Sequence, residues 1–283
     1  MAKKFLILNS LFIIGYYFSI MISVTILGAG NVGTHLFKAF KKNNQVSIKQ
    51  WFNRNLDAIS TYENEVNITD ELNNLEEADV YIITVSDEAV ANVSSKLPFE
   101  NRLVVHTAGS VNIHDLDKKH KRGVFYPLQS ISKNAVLDFV NVPIGIETID
   151  KKDYHILKEL ALAIGSPVKK INGDQRKVLH LAAVFVSNFT NQMYRIAHEI
   201  TESQAADFDL LKPLILETAK KVQDMSPYMA QTGPAKRGNL KTIKKHLALL
   251  EKEQHKDIYK LITKSIQDTH GTSTALSNKR QKN

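Results

Sequence analysis

From Ile22 onward, short runs rich in β-branched and aromatic residues alternate with segments whose apolar positions recur at helical spacing. That alternation is the signature of a parallel sheet covered by crossover helices. The first strand is expected at Ile22 to Leu27, and behind it Val32, Leu36, Phe37 and Phe40 share one face of a helix. Further strands are expected at Val46–Phe52, Val66–Ile68, Asp79–Val85, Leu103–Thr107, Val124–Tyr126, Val142–Ile146 and Val168–Ile171. After Asn172-Gly173 the pattern changes and no further strand is expected. Asp174 to about Ser203 reads as one long helix, with Leu179, Ala183, Val186, Thr190 and Ala197 near one face. A second helix spans about Asp209 to Met225, with Pro213 near its start, where proline is tolerated. A loop from Ser226-Pro227 to Gly238-Asn239 leads to a last helical stretch, Leu240 to Gln267. The expected class is α/β, a Rossmann-type doubly wound sheet followed by an all-α C-terminal domain.

The expected boundaries are residues 21–172 for the sheet domain and 173–270 for the helical one, with a disordered basic tail at 271–283. Residues 1–20 stand apart. Phe5 to Ile22 is an almost unbroken apolar run of 18 residues behind Lys3 and Lys4, long enough for a signal sequence or an anchor. No small-x-small cleavage site separates it from Gly28, and an anchor with this charge placement would send the body away from nucleotide cofactors. Met21 directly precedes the first strand, so the segment is read as an upstream extension of a cytoplasmic protein that starts at Met21, with no membrane partner.

Composition narrows the chemistry. Of 283 residues, 43% are hydrophobic and 23% charged, which is globular usage and excludes collagen, coiled coil and disorder. The absence of cysteine removes disulfides, thiolate metal sites and cysteine nucleophiles, and no metal is expected. The net charge of +8 is mostly terminal: Lys3, Lys4, Lys279, Arg280 and Lys282 supply five of it, leaving +3 for the body. A counterion-releasing groove needs basic residues clustered on a folded face, so no nucleic-acid partner is expected.

Gly28-Ala29-Gly30-Asn31-Val32-Gly33 fits G-x-G-x-x-G, and here a strand runs into it and a helix runs out of it. Gly28 permits the tight turn, Gly30 lets backbone approach a pyrophosphate, and Gly33 allows helix to pack on strand. At the end of the second strand, where an NAD enzyme would hold a carboxylate for the ribose, stand Asn53 and Arg54. A guanidinium can pair with a 2′-phosphate and stack on adenine, so NADP is the expected cofactor. An acidic residue is usually needed at the same place by an S-adenosylmethionine methyltransferase, which argues against that reading. The fourth strand ends in Val85-Ser86-Asp87 and the fifth in His106-Thr107-Ala108-Gly109-Ser110, beyond which ligands of open α/β sheets sit. Val85, Ser86, His106 and Thr107 are expected to contact cofactor, with Ser110 at substrate; Asp87 could equally cap the following helix, and His106 bond to backbone.

These segments, with Tyr126-Pro127-Leu128-Gln129-Ser130, the helix His180 to Asn188, and Thr232-Gly233-Pro234-Ala235-Lys236-Arg237-Gly238, resemble the bacterial Rossmann-like oxidoreductases with a helical C-terminal domain of unknown function. The resemblance covers about Ile22 to Gln267. It extends to NADP oxidoreductases grouped with deazaflavin-dependent enzymes, and more distantly to pyrroline-5-carboxylate reductase, ketopantoate reductase and the β-hydroxyacid dehydrogenases. It implies a nicotinamide-dependent reductase with its substrate between the domains, and a homodimer through the C-terminal helices. In the last two groups a lysine and an asparagine one turn apart serve the carbonyl. Here the helix offers Lys177, His180 and Asn188; at 100° per residue Lys177 and Asn188 point about 20° apart but lie three turns from each other. The usual pair is missing.

Hydride transfer puts negative charge on a substrate oxygen or removes positive charge from an iminium, so an acid and hydrogen-bond donors are wanted. His180 is the first candidate because imidazole exchanges a proton near neutrality, and Asn188 would polarise or orient the carbonyl. A histidine satisfied within a helix bundle is the structural alternative. Gln129 and Ser130 lie in a loop expected near the cleft, where either could bind substrate. Lys236 and Arg237 follow a Gly-Pro turn and suit an anionic substrate group such as a carboxylate. The expected activity is NADPH-dependent reduction of a small, anionic carbonyl or imine compound, a 2-oxo acid such as ketopantoate being one case; the rival is a non-catalytic NADP-binding sensor.

Overall fold

The computed structural model describes residues 21–132 and 135–270, so the upstream extension and the basic tail expected at the two ends lie outside the described residues. An eight-stranded sheet has the order β3-β2-β1-β4-β5-β6-β7-β8. Its strands are β1 (Ile22–Leu27), β2 (Val46–Phe52), β3 (Asn67–Thr69), β4 (Val80–Ile83), β5 (Leu103–His106), β6 (Lys121–Pro127), β7 (Ile144–Thr148) and β8 (Val168–Lys170). All neighbours pair in parallel except β6 with β7. The order reverses at β1, whose neighbours are β2 and β4, and a ligand crevice opens there beyond the strands' carboxyl ends.

All eight expected strands are present. Where their ends shift, it is by one to three residues. Thr84 and Asp79 flank β4, their amides still donating to the Leu27 and Ser23 carbonyls of β1; the Thr84 hydroxyl donates to the Leu27 and Gly28 carbonyls, and the Asp79 carboxylate accepts from the Ser23 amide. The strand expected from Val142 starts at Ile144 because a 3₁₀ turn, Phe139–Asn141, and Pro143 precede it. β6 extends back to Lys121 and Arg122, polar residues that pair with Leu103 and Val104 at the sheet's end.

Helix α1 (Asn31–Lys41) buries Leu36, Phe37 and Phe40 on β2, where the Phe37 ring stacks on Trp51 with centroids 4.5 Å apart. Helices α2 (Val90–Lys96) and α3 (Asp153–Ala163) complete the covering of the sheet. Three apolar clusters form its core among the described residues, one containing Trp51, Phe125, Ile144 and Leu157, one Leu27, Phe52, Tyr81 and Val104, and a small one Ile113, Val124 and Tyr126.

After β8 every described element is helical: α4 (Gly173–Ala183), α5 (Thr190–Ser203), α6 (Lys212–Asp224), α7 (Pro227–Ala230), α8 (Leu240–Leu249) and α9 (Glu253–His270). Three expectations change. The long helix from Asp174 contains a π-helical turn, Val184–Phe189, the loop after Met225 contains α7 capped by Ser226, and the last stretch breaks at residues 250–252. Because the π turn departs from 100° per residue, the regular phase counted from Lys177 to Asn188 does not extend past Ala183. The chain divides into two compact units between Ser187 and Asn188. Among the described residues no helix is long and apolar enough to cross a membrane.

Candidate active site

The crevice begins at the turn between β1 and α1. Gly28 has φ +116°, which an L side chain rarely adopts, and a Cβ there would stand 3.0 Å from the Thr84 backbone. Its amide donates to the Phe52 carbonyl at 2.8 Å, and its own carbonyl accepts from the Trp51 indole at 2.8 Å and the Thr84 hydroxyl at 3.0 Å. A Cβ on Gly33 would lie 2.5 Å from both the Gly28 carbonyl oxygen and Thr84 Oγ1, so only glycine lets α1 sit this close to β1. Gly30 differs: the nearest atom to its Cβ would be 3.5 Å away, and protein packing does not demand a glycine there. It caps a helix that has no side-chain cap and no acidic residue in its first turn. Free amides, positive helix end and bare backbone fit a pyrophosphate.

A cleft of about 580 Å³ opens from this turn, lined by Gly28, Ala29, Gly30 and, across it, Val85 and Ser86. Asn53 also lines it, accepting from the Ala29 amide at 3.1 Å and donating to the Asn55 carbonyl at 2.7 Å, so it shapes the glycine turn. Arg54 is exposed on the rim, and Lys96, from the end of α2, lines the same cleft. Lys96 was not expected from sequence, because α2 reaches the cleft from another crossover. Asp70 and Glu71 line it as well, beyond β3. Asn31, Val32, Gly33, His106 and Thr107 are not among its lining residues. The Asn31 side chain donates to the Ile131 carbonyl at 2.9 Å, leaving its backbone at the helix start.

Polar groups from β4, β5, β6 and α4 form a second cluster. Asp87 does not act as the helix cap; it accepts from the Ser110 hydroxyl across the two strand ends. Thr107 is buried, and His106 wholly so, its Nδ1 accepting from the Ala108 amide at 3.2 Å. Burial, with the charge of Arg176 second, lowers the His106 pKa to about 3, so the ring is neutral at pH 7. Its Nε2 has no hydrogen-bond partner among the described residues.

Tyr126, 7% exposed at the end of β6, meets Nδ1 of His180 with its hydroxyl at 3.3 Å, the rings tilted edge to face. Burial raises the Tyr126 pKa; Arg176 opposes this and Asp87 adds to it. The His180 ring is seated on Gly109, where a Cβ would come within 2.6 Å of Nδ1. Arg176, one helical turn before His180 and on the same side of α4, has no exposed surface. It pairs with Glu147 and donates to the Val111 carbonyl at 2.5 Å, while Glu147 accepts from the Gly173 amide at 3.1 Å. The start of α4 is thereby fastened to β7 and to the loop after β5. Sequence reading missed Tyr126, Glu147 and Arg176; the i to i+4 spacing of Arg176 and His180 was the available signal.

The remaining expected residues are placed individually. Gln129 and Ser130 are exposed, with the Gln129 side chain accepting from the Ser130 amide at 2.9 Å. Asn188 is exposed in the π turn. Lys236 donates to the Gln231 carbonyl at 2.8 Å and so secures its own loop, while Arg237 is exposed. Among the described residues no group of three or more potential ligands could hold a metal ion.

The model for "NADP oxidoreductase coenzyme F420-dependent" matches residues 23–109, and that for a domain of unknown function, DUF2520, matches residues 142–266. Protein BF3122 of Bacteroides fragilis, named after the NADP oxidoreductases, is 35% identical with TM-score 0.79, over 88% of this chain and 99% of that one. Protein TM1727 of Thermotoga maritima is 21% identical with TM-score 0.68, over 89% and 99%. A reductive aminase from Aspergillus terreus, solved with NADPH and ethyl levulinate, is 13% identical with TM-score 0.65, over 89% and 95%. The last two show the fold alone. No curated protein matches.

Proposed function

Since this chain belongs to the family of Rossmann-type NADP oxidoreductases that carry a DUF2520 domain behind the nucleotide domain, we propose that it is an NADPH-dependent reductase of a small, anionic carbonyl or imine compound. The observation that carries the reading is the turn at Gly28 to Gly33, whose bare helix start opens into a cleft rimmed by Arg54 and Lys96. Amides at the start of α1 take the pyrophosphate. Arg54 and Lys96 together take the 2′-phosphate, with Asn53 holding the turn behind them. NADPH, when bound, supplies a hydride. His180 holds the proton that a new alkoxide requires, Asn188 orients the reacting group, and Ser110, Gln129 and Ser130 bind substrate. Lys236 and Arg237 pair with a substrate carboxylate, which makes 2-oxo acids, ketopantoate among them, the first compounds to try. Residues 21–172 serve as the nucleotide domain and 173–270 as the substrate and dimerisation domain.

A second copy of the chain covers the helical residues. Among described residues from 188 onward only Ile196, Ala235 and Ile243 are buried hydrophobics, whereas Leu214, Leu216, Met229, Leu240, Leu249 and Leu261 are each more than half exposed. So much uncovered apolar surface marks an association face. Light scattering on the eluted protein should give twice the chain mass; a monomer at micromolar concentration contradicts this part. The activity itself is tested by following NADPH absorbance with a panel of 2-oxo acids and cyclic imines. Turnover of at least one is expected, and binding of NADPH without turnover of any would make the protein a sensor instead.

A further inference from the structure

We propose that Tyr126 is the catalytic acid of this site, its hydroxyl delivering the proton that accompanies hydride transfer, with His180 behind it as the group that restores that proton. The assignment rests on the reductase reading above. Three observations carry it. The Tyr126 hydroxyl and His180 Nδ1 are 3.3 Å apart, although the residues stand 54 positions apart in the chain. Tyr126 is buried and His180 exposed, so the phenol can deliver a proton in a shielded place while the imidazole exchanges protons with water. The contact is also held from both sides. Gly109 leaves room for the imidazole, and the Arg176–Glu147 pair fastens α4 one turn before it.

The bond counts close. The substrate carbon gains a hydrogen with its electron pair from C4 of NADPH, and the carbon–oxygen π pair moves to oxygen. The Tyr126 O–H bond breaks and its proton forms the new O–H bond. The phenolate then takes the proton from Nδ1 of doubly protonated His180, and water reprotonates the imidazole. The products are the alcohol and NADP⁺; with an iminium substrate no proton is needed at nitrogen during hydride transfer. While His180 carries both protons its Nδ1–H donates to the Tyr126 oxygen, which frees the phenolic hydrogen for substrate. The positive charge of Arg176 favours the phenolate that forms in passing.

Tyr126→Phe keeps the ring and removes only the hydroxyl. With the best 2-oxo acid of the panel, kcat should fall about 100-fold or more, while NADPH binds within about twofold of wild type. His180→Ala should lose less, recover with added imidazole, and reduce the protons in flight, read from rates in H₂O–D₂O mixtures, from two to one. Tyr126→Phe should not recover with imidazole. Gly109→Ala should slow the wild-type enzyme by displacing the imidazole but add no further loss to His180→Ala. Should Tyr126→Phe fail to bind NADPH, the imidazole rescue and the Gly109 cycle decide in its place. Wild-type kcat in Tyr126→Phe, or absence of both rescue and coupling, overturns the assignment and leaves the reductase reading standing. A wild-type protein that turns over no member of the panel fails the reductase reading, and the assignment falls with it.

Discussion

The two ends of the site are made of different material. At the phosphate end backbone does the work: Gly28 supplies a left-handed turn, Gly33 a contact that no other residue permits, and the start of α1 its amides. At the other end side chains do it, and each depends on a neighbour for its position: His180 on Gly109, α4 on Arg176, and Arg176 on Glu147. Backbone sites are specified by what is absent, since a Cβ added at Gly28 or Gly33 meets neighbouring backbone. Side-chain sites are specified by partners, so loss of one partner spreads to the rest. Substitutions at the two ends should therefore fail in different ways.

The largest effect is expected where a buried charge loses its partner. Arg176→Met leaves the Glu147 carboxylate uncompensated and should cost about 3–5 kcal/mol of stability by urea unfolding. Arg176→Met with Glu147→Met should be more stable than Arg176→Met alone. If both single and double variants unfold like wild type, α4 is not anchored by this pair. Gly33→Ala comes next. Its Cβ, 2.5 Å from a backbone oxygen, forces α1 off β1, at about 1–3 kcal/mol, and should weaken NADPH binding without altering the Tyr126–His180 contact. Equal loss of both functions would erase the distinction between the ends.

A smaller effect follows from His106. Its folded-state pKa, about 3, lies below the value of 6.5 for a free imidazole, so between these the unfolded chain binds more protons than the folded one. Stability should therefore be lost as pH falls below 6.5, by up to about 1.4 kcal/mol per pH unit from this residue. His106→Gln should show a shallower decline between pH 7 and pH 5 in urea; parallel declines would mean that His106 is protonated without cost. Smallest is Arg54→Gln, which should weaken NADPH roughly tenfold and leave NADH unchanged. Equal weakening of both would remove the 2′-phosphate from its role.

The phosphate end was legible in the sequence because it is local. Six consecutive residues carry it, and the strand before and helix after are periodic enough to place them. The rest of the cleft is less so: Lys96 lines the same cleft as Arg54 only because α2 returns to the crevice after β4. The other end was half legible. His180 stood out as a titratable residue among Leu179, Leu181, Ala182 and Ala183, but its partner lies 54 residues earlier, joined to it by the sheet's order rather than by any spacing. Glu147 and Arg176 are likewise 29 residues apart, and each alone reads as an ordinary surface charge. Nothing in a 3.6-residue pattern marks the π turn at Val184–Phe189, so the phase carried to Asn188 was lost there. The antiparallel pairing of β6 with β7, Gly123 to Pro127 against Thr148 to Ile144, was hidden for a similar reason, because strand direction leaves no mark on a run of apolar residues.

Calorimetric titration of the chain begun at Met21 with NADPH, and with NADH in parallel, is the most direct test of the central claim. A one-to-one heat of binding for NADPH, with NADH weaker, is the expected result. No heat with either nucleotide would contradict it.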